Sequence, residues 1–356
     1  LKESAGDPQD WIIIKAAIAG IRSRFILFKN IWFKTQKYSF SYLCASLVAK
    51  MKKRYNSLVG YYKSKYGSRL QKIVIDAGFT CPNRDGSVSV GGCTYCDNNA
   101  FHPSYSTPDK SIIQQMEEGM EFHRRRYRTA SSYIAYFQPY SNTYAPLERL
   151  KELYTEALSH PDVVGIAVGT RPDCVDEEKL DYLVELSQEY IVMVEYGIES
   201  CYDATLKRIN RGHTFEQAAH AVRMTAERKL DVCAHFILGL PGEDREMMLE
   251  STTVINSLPL TSLKFHQLQI IKGTRMEQEF EAHPEDFITF SLDEYLDFFV
   301  DILERLRPEI CIERFAGEVP PRFVRFTPWG LIRNVELLRL LEKRLEERDS
   351  WQGKLL

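Results

Sequence analysis

Six short apolar runs rich in β-branched residues recur between residues 72 and 271, each separated from the next by a longer stretch of mostly amphipathic character. The runs cover 72–77, 132–137, 163–169, 191–197, 231–240 and 262–271, with amphipathic stretches at 111–127, 146–160, 176–189, 215–229 and 243–258. Thr107-Pro108-Asp109, Asp176-Glu177-Glu178 and Thr214-Phe215-Glu216 are good helix starts. Strands joined through helices pair in parallel, because parallel neighbours need a long crossover. Runs that are apolar throughout belong to a sheet covered on both faces. The pattern predicts an α/β fold. Six βα units are too few for a closed eight-stranded barrel, which leaves an open six-stranded, TIM-like partial barrel or a doubly wound sheet. In both, chemistry is expected beyond the carboxyl ends of the strands. The tail adds a helix at 292–306, a strand at 310–314 and a charged helix at 335–347.

Composition narrows the class. Lys+Arg 46 against Asp+Glu 49 leaves a net charge of −3, so bulk charge does not announce a nucleic-acid binder. The balance is uneven: residues 1–50 carry +5 and the remainder −8, and any polyanion must be held by local patches. The most apolar stretch, 11–33, is broken by Lys15, Arg22, Arg24 and Lys29, so no membrane insertion is expected. The basic, apolar and aromatic segment 1–50 is read as an extension with no assigned function, since Met51 opens a plausible start. The expected division is 1–50 extension, 51–285 core and 286–356 C-terminal α/β extension.

Eight cysteines are present, and only Cys81, Cys93 and Cys96 cluster. A secreted disulfide scaffold would be shorter and denser in cysteine, so a reducing, cytoplasmic setting is expected. The trio follows the first strand in a loop whose Gly91-Gly92 lets backbone fold closely around a ligand. Structural zinc normally takes four ligands, and His102 could complete such a site in a non-enzymatic module. A [4Fe–4S] cluster can instead take three cysteines and leave one iron open. Thioredoxin-like chemistry would leave Cys81 unexplained.

Cys-x11-Cys-x2-Cys in this place, within Gly-Phe-Thr-Cys-Pro-Asn-Arg-Asp-Gly and Gly-Gly-Cys-Thr-Tyr-Cys, resembles the radical S-adenosylmethionine (radical SAM) superfamily. The long first gap is similar to the branch that includes the Elongator catalytic subunit, and more narrowly to a bacterial family of roughly 300 residues. The resemblance covers about residue 51 to the C-terminus. It implies that Cys81, Cys93 and Cys96 bind three irons of a [4Fe–4S] cluster while the fourth chelates the methionine part of SAM. Reductive cleavage of SAM would then yield a 5′-deoxyadenosyl radical that abstracts hydrogen from a substrate. Tyr95 matches the bulky position that packs against adenine.

The resemblance also assigns expectations to the strand ends. Gln138, Asn142 and Thr143 match the narrower family's pattern after the second strand, where a Gly-Gly-Glu run is absent. Arg171 could hold a carboxylate or cap the sheet. Glu195 and Ser200 lie in a Glu-x-Gly-x-Glu-Ser run like one that lines the SAM site in relatives. A buried glutamate needs partners, and ribose hydroxyls or an ammonium group would serve. Arg208 or Arg211 is a fork for SAM's carboxylate, and Gly239 belongs to the strand bordering adenine. His235, Lys264 and His266 are candidate substrate-handling residues, and alternation places Lys264 and His266 on one face.

For the substrate, the branch points to tRNA wobble-uridine modification. Residues 123–128 and 320–326 mix basic and aromatic side chains, which suits phosphate contact and base stacking. A small metabolite or a peptide is the competing substrate. An electron donor such as flavodoxin or ferredoxin is implied. No second cluster is expected, because the other cysteines are dispersed.

Overall fold

In the computed structural model every strand pairs in parallel with the next one in the chain, so sheet order is chain order. The strands are β1 (Leu70–Ile75), β2 (Ser132–Phe137), β3 (Val163–Thr170), β4 (Ile191–Glu199), β5 (Asp231–Leu238), β6 (Ser262–Gln267) and β7 (Cys311–Arg314). The helices are α1 (Leu58–Tyr66), α2 (Ile112–Tyr127), α3 (Leu147–Leu158), α4 (Glu177–Ser187), α5 (Asp203–Arg208), α6 (Phe215–Glu227), α7 (Arg245–Ser257), α8 (Arg275–Ala282), α9 (Leu292–Arg305) and α10 (Asn334–Glu347). The structure describes residues 53–356 other than 102, 128–131, 326–328 and 331. The reading of residues 1–50 lies outside them. Among the described residues no helix is long and apolar enough to cross a membrane.

The sheet curls into a partial barrel, and its two faces sort by strand alternation. On β2, Tyr133, Ala135 and Phe137 join the large core under the crossover helices. Ile134 and Tyr136 point the other way and pack inside the barrel with Leu70, Ala167, Met193 and Cys233. Helix α1 closes the amino-terminal end of that interior with Leu58 and Tyr62. Ser57 caps α1, accepting from the Gly60 amide.

Seven strands form the sheet where six were expected in the core. The tail supplies the seventh: Ser262 pairs with Cys311 and Leu263 with Ile312, and Lys264 then pairs with Arg314 across an irregularity. The chain before α1 runs beside β7, with an Ile312 amide bonded to the Asn56 carbonyl at 2.7 Å. Helix α9 starts with a capping box between Ser291 and Glu294. It buries Tyr295, Phe298 and Phe299 in the main core.

Candidate active site

The loop after β1 is held by its own backbone. Arg84 N–H donates to the Cys81 carbonyl, Val88 N–H to Pro82, and Gly92 N–H to Asn83, each at 2.8 Å. Gly91 and Gly92 both take φ of +78°, a region open to glycine at little cost. A β-carbon on Gly92 would also lie 3.0 Å from the Arg84 side chain. The loop is pinned to the segment after α5: Thr94 N–H donates to Ile209, and Asn210 Nδ2 donates to the Gly92 carbonyl at 2.8 Å.

This folding brings Cys81, Cys93 and Cys96 to the wall of one cavity of about 210 Å³ at the carboxyl ends of the strands. Cys81 and Cys93 are buried and Cys96 is half-buried. Cationic and amide donors face the sulfurs. Arg84 approaches Cys96 Sγ at 3.4 Å, while Asn83 Nδ2 and Arg211 each approach Cys93 Sγ at 3.5 Å. Burial, with Cys93 beside it, pushes the Cys96 thiol up, and Arg84 opposes that shift. Deprotonation on binding a metal would reverse the cost.

The donor set fits an iron–sulfur cluster and an added polar ligand. The three sulfurs are not all within 4.8 Å of one another; among the described residues only Glu195, Cys233 and His235 form such a tight set. A single zinc would draw its sulfurs to about 3.8 Å apart, given zinc–sulfur bonds of about 2.3 Å. A cluster spreads its cysteines over different irons. Three residues that line the same cavity also carry a buried polar atom without a partner: Asn98 Nδ2, Ser141 Oγ and Arg211 Nε. Such groups are costly unless a ligand satisfies them. His102, the fourth ligand of the zinc alternative, lies outside the described residues.

Of the expected SAM contacts, Tyr95, Gln138, Glu195 and Arg211 line the cavity, as does Arg171. Arg211 is buried and bonds to the Gly197 carbonyl at 2.5 Å, which separates it from Arg208. Five of the expected contacts do not line this cavity. Arg208 pairs with Glu279 and Asp286, away from the cavity. Asn142 Nδ2 is spent on the carbonyls of Phe137, Pro139 and Gly169. Thr143 bonds to Thr170 at 2.6 Å and to the Cys174 carbonyl. Ser200 donates to Glu243, and Gly239 lies against the backbone of Ile288. None of these five lines the cavity. Arg171 is likewise clamped by Asp173 at 2.7 and 2.8 Å.

Glu195 finds its partners within the chain, as ammonium groups. It is fully buried, with Lys72 on one oxygen, and Lys264 at 3.1 Å and His235 at 3.0 Å on the other. Glu313 joins through Lys72 at 2.7 Å and Lys264 at 3.5 Å. Lys264 also donates to the Tyr136 hydroxyl at 2.9 Å. Burial alone would lift the Glu195 carboxyl; Lys264, Lys72 and His235 outweigh it and hold it well below the usual carboxylate range. The two ammonium groups also oppose a metal ion at Glu195, Cys233 and His235. Sequence reasoning missed Lys72 and Glu313, although a lysine inside an apolar first strand was a visible signal. It also missed Arg84 and Asn83, which sit inside the cysteine motif itself.

A second, larger cavity of about 970 Å³ extends from α1 past the open side of the barrel to the tail. It shares Tyr136, Lys264, Gln267, Gln269 and Arg314 with the cysteine cavity. The two spaces therefore meet at the carboxyl ends of β6 and β7, with Lys264 lining both and His266 the cysteine cavity.

Comparisons with known proteins agree with this arrangement. Residues 81–254 match the radical SAM superfamily and residues 260–347 the radical SAM C-terminal domain. The chain is 35% identical to YtqA of Bacillus subtilis over 302 residues, covering 85% of this chain and 92% of YtqA. It is 25% identical to the tRNA uridine(34) acetyltransferase of Dehalococcoides mccartyi over 169 residues, 45% of this chain and 35% of that one. The structure of archaeal Methanocaldococcus infernus Elp3 superposes with a TM-score of 0.61 at 15% identity, over 80% of this chain and 64% of that one. A thiol-lined cavity at the mouth of a parallel half-barrel and a YtqA-like sequence along most of its length have one explanation: the chain is an enzyme of the radical SAM superfamily, in a family related to Elongator.

Proposed function

We propose that Cys81, Cys93 and Cys96 hold the [4Fe–4S] cluster that the superfamily implies, and that SAM lies in the cavity they border. The observation that carries this reading is the convergence of three thiols on one cavity, with donors to two of them. When bound, the cluster and SAM supply a 5′-deoxyadenosyl radical that takes hydrogen from a substrate. The chain's own residues orient and screen. Arg84, Asn83 and Arg211 donate to the thiolates and stabilise their charge. Arg211 is also the fork that suits SAM's carboxylate, Tyr95 offers its ring to adenine, and Gln138 offers an amide. Lys264 and His235, locked by Glu195, hold fixed charge and hydrogen-bond direction where the two cavities meet.

The substrate proposed is the wobble uridine of tRNA. Its support is the likeness to a tRNA uridine(34) acetyltransferase and a substrate-sized chamber opening beside the cluster cavity. The basic segments add little. Arg124 and Arg125 are already paired with Glu121, and Arg325 with Glu281; parts of both segments lie outside the described residues. A flavodoxin- or ferredoxin-type donor would supply the electron. The seven described cysteines are all free thiols, in keeping with a reducing cytoplasmic setting. The test has two arms. Anaerobically reconstituted protein given dithionite and SAM should release 5′-deoxyadenosine, and Cys93→Ala should release none. Total tRNA from a deletion strain should then show an altered wobble uridine. Unchanged tRNA nucleosides, with 5′-deoxyadenosine still formed, would move the substrate to a small metabolite or peptide.

A further inference from the structure

The polar groups where the two cavities meet fall into two sets. Lys72, Lys264, Glu195 and Glu313 pair with one another, and their formal charges cancel. Arg314 and Gln269 line both cavities and His266 lines the cysteine cavity beside them; among the described residues their side chains make no hydrogen bond or ion pair. All three are only partly buried, so their polar atoms are free of protein partners and open to a group that enters the cavity.

The backbone explains how Arg314 arrives there. Glu313 and Arg314 are consecutive, and in a regular strand they would face opposite sides. Between Leu263 and Lys264 the β6–β7 register slips, so that Leu263 pairs with Ile312 but Lys264 with Arg314. The slip leaves Glu313 as the extra residue of a bulge. Both side chains then reach the barrel side, and both line the larger cavity. Bulges near active sites re-aim side chains in this way. Gly317 leaves the space open. A β-carbon there would lie 2.7 Å from His266 Nδ1 and 3.1 Å from Gln269 Oε1. Its backbone is fixed by two hydrogen bonds to Gln267, at 2.8 and 3.2 Å.

We infer that Arg314, assisted by Gln269 and His266, binds an anionic oxygen group of the substrate, a carboxylate or a phosphate, at the junction of the two cavities. The chemistry follows from the inventory. Among the described residues the guanidinium is the charge at this junction without an ion-pair partner, and its planar fork matches a two-oxygen anion. The Gln269 amide and the neutral His266 ring each add one donor. The bulge fixes the anion beside Lys264 and Tyr136 and so sets which part of the substrate faces the cysteine cavity. The inference rests on the larger cavity being the substrate's chamber.

Two simple probes test it without requiring turnover. Phosphate is titrated into the full chain and followed by 31P line broadening, and acetate by 13C line broadening. The expected result is saturable binding of at least one of them, weakened about tenfold or more by Arg314→Gln, as loss of a charge-assisted pair entails. Arg314→Lys should fall between. Gly317→Ala, which fills the space without touching a charge, should also weaken binding. Preference for phosphate would identify a nucleotide backbone group, and preference for acetate a carboxylate on the substrate. Equal binding by wild type and Arg314→Gln, or no saturable binding of either anion by wild type, would overturn the inference. Loss of SAM binding in Arg314→Gln would overturn it too, by assigning the guanidinium to SAM. Arg314-dependent anion binding in a protein that builds no iron–sulfur cluster would uphold the inference while the radical SAM reading of the thiols failed.

Discussion

The two ends of the barrel interior are built from neighbouring inward-facing positions of the same strands, two residues apart, yet they are different materials. At the amino-terminal end Leu70, Ile134, Met193 and Cys233 pack against Leu58 and Tyr62 of α1. One step further along, Lys72, Tyr136, Glu195 and His235 occupy the equivalent places, with Lys264 and Glu313 from the last two strands. The amino-terminal end is apolar and covered by α1, whose Leu58 and Tyr62 also reach the larger cavity; the open end is charged and ringed by loops. Parallel strands divide labour this way because their carboxyl ends feed the variable loops. The network lies between the two regimes. Its burial makes each charge dependent on the others, so it gives the floor of the site fixed positions more than it adds stability.

The comparison can be broken most severely at Glu195. Glu195→Gln leaves two ammonium groups near a neutral amide and should cost about 3–5 kcal/mol, the range for breaking a buried pair, measured by urea unfolding. A cost under about 1 kcal/mol, within the range of surface pairs, would mean that water or a counter-ion reaches the network. Ile134→Ala, at the closed end, should cost about 2–5 kcal/mol through the cavity it opens. Iron uptake by that variant should match wild type, because no thiol or donor moves. Equal damage to iron uptake would show that the two ends are one unit.

Arg84→Ala sharpens the comparison from the other side. It should lower iron retention about 10–100-fold against a chelator, as loss of outer partners does at metal sites, with little change in unfolding midpoint. A smaller effect is expected from pH. Burial, then the charge of Arg211, pushes His213 down from 6.5 to about 3, so below pH 6.5 the unfolded chain binds a proton that the folded chain does not. Stability therefore falls as pH drops from 6.5 toward 3. His213→Gln should show a shallower decline; an identical slope would assign the acid sensitivity to other groups.

Much of this was legible in the chain. The predicted strand runs overlap β1 to β6, because two-sided burial leaves each as an unbroken apolar run. The cysteine spacing singled out the loop that borders the smaller cavity, because the proposed chemistry tolerates few other arrangements of three thiols. The β7 pairing was harder to read. A four-residue strand carries little pattern, and its partner lies more than forty residues away. The register slip that turns Arg314 inward has no sequence signature. Asn142, Thr143, Ser200 and Arg208 lie off the cysteine cavity because a motif names positions at strand ends, whereas backbone carbonyls and neighbouring carboxylates decide which side chains stay free. Arg208 and Arg211 look alike in sequence; only the turn after α5 aims one at Cys93 and the other at Asp286.

The central claim is that Cys81, Cys93 and Cys96 share one inorganic core. Anaerobic reconstitution with iron and sulfide, followed by iron counting and EPR after reduction, tests it most directly. The account predicts about four irons per chain, a signal that changes when SAM is added, and loss of both on alanine substitution at any one of the three. A colourless protein holding a single zinc, or full iron content in Cys93→Ala, would contradict it.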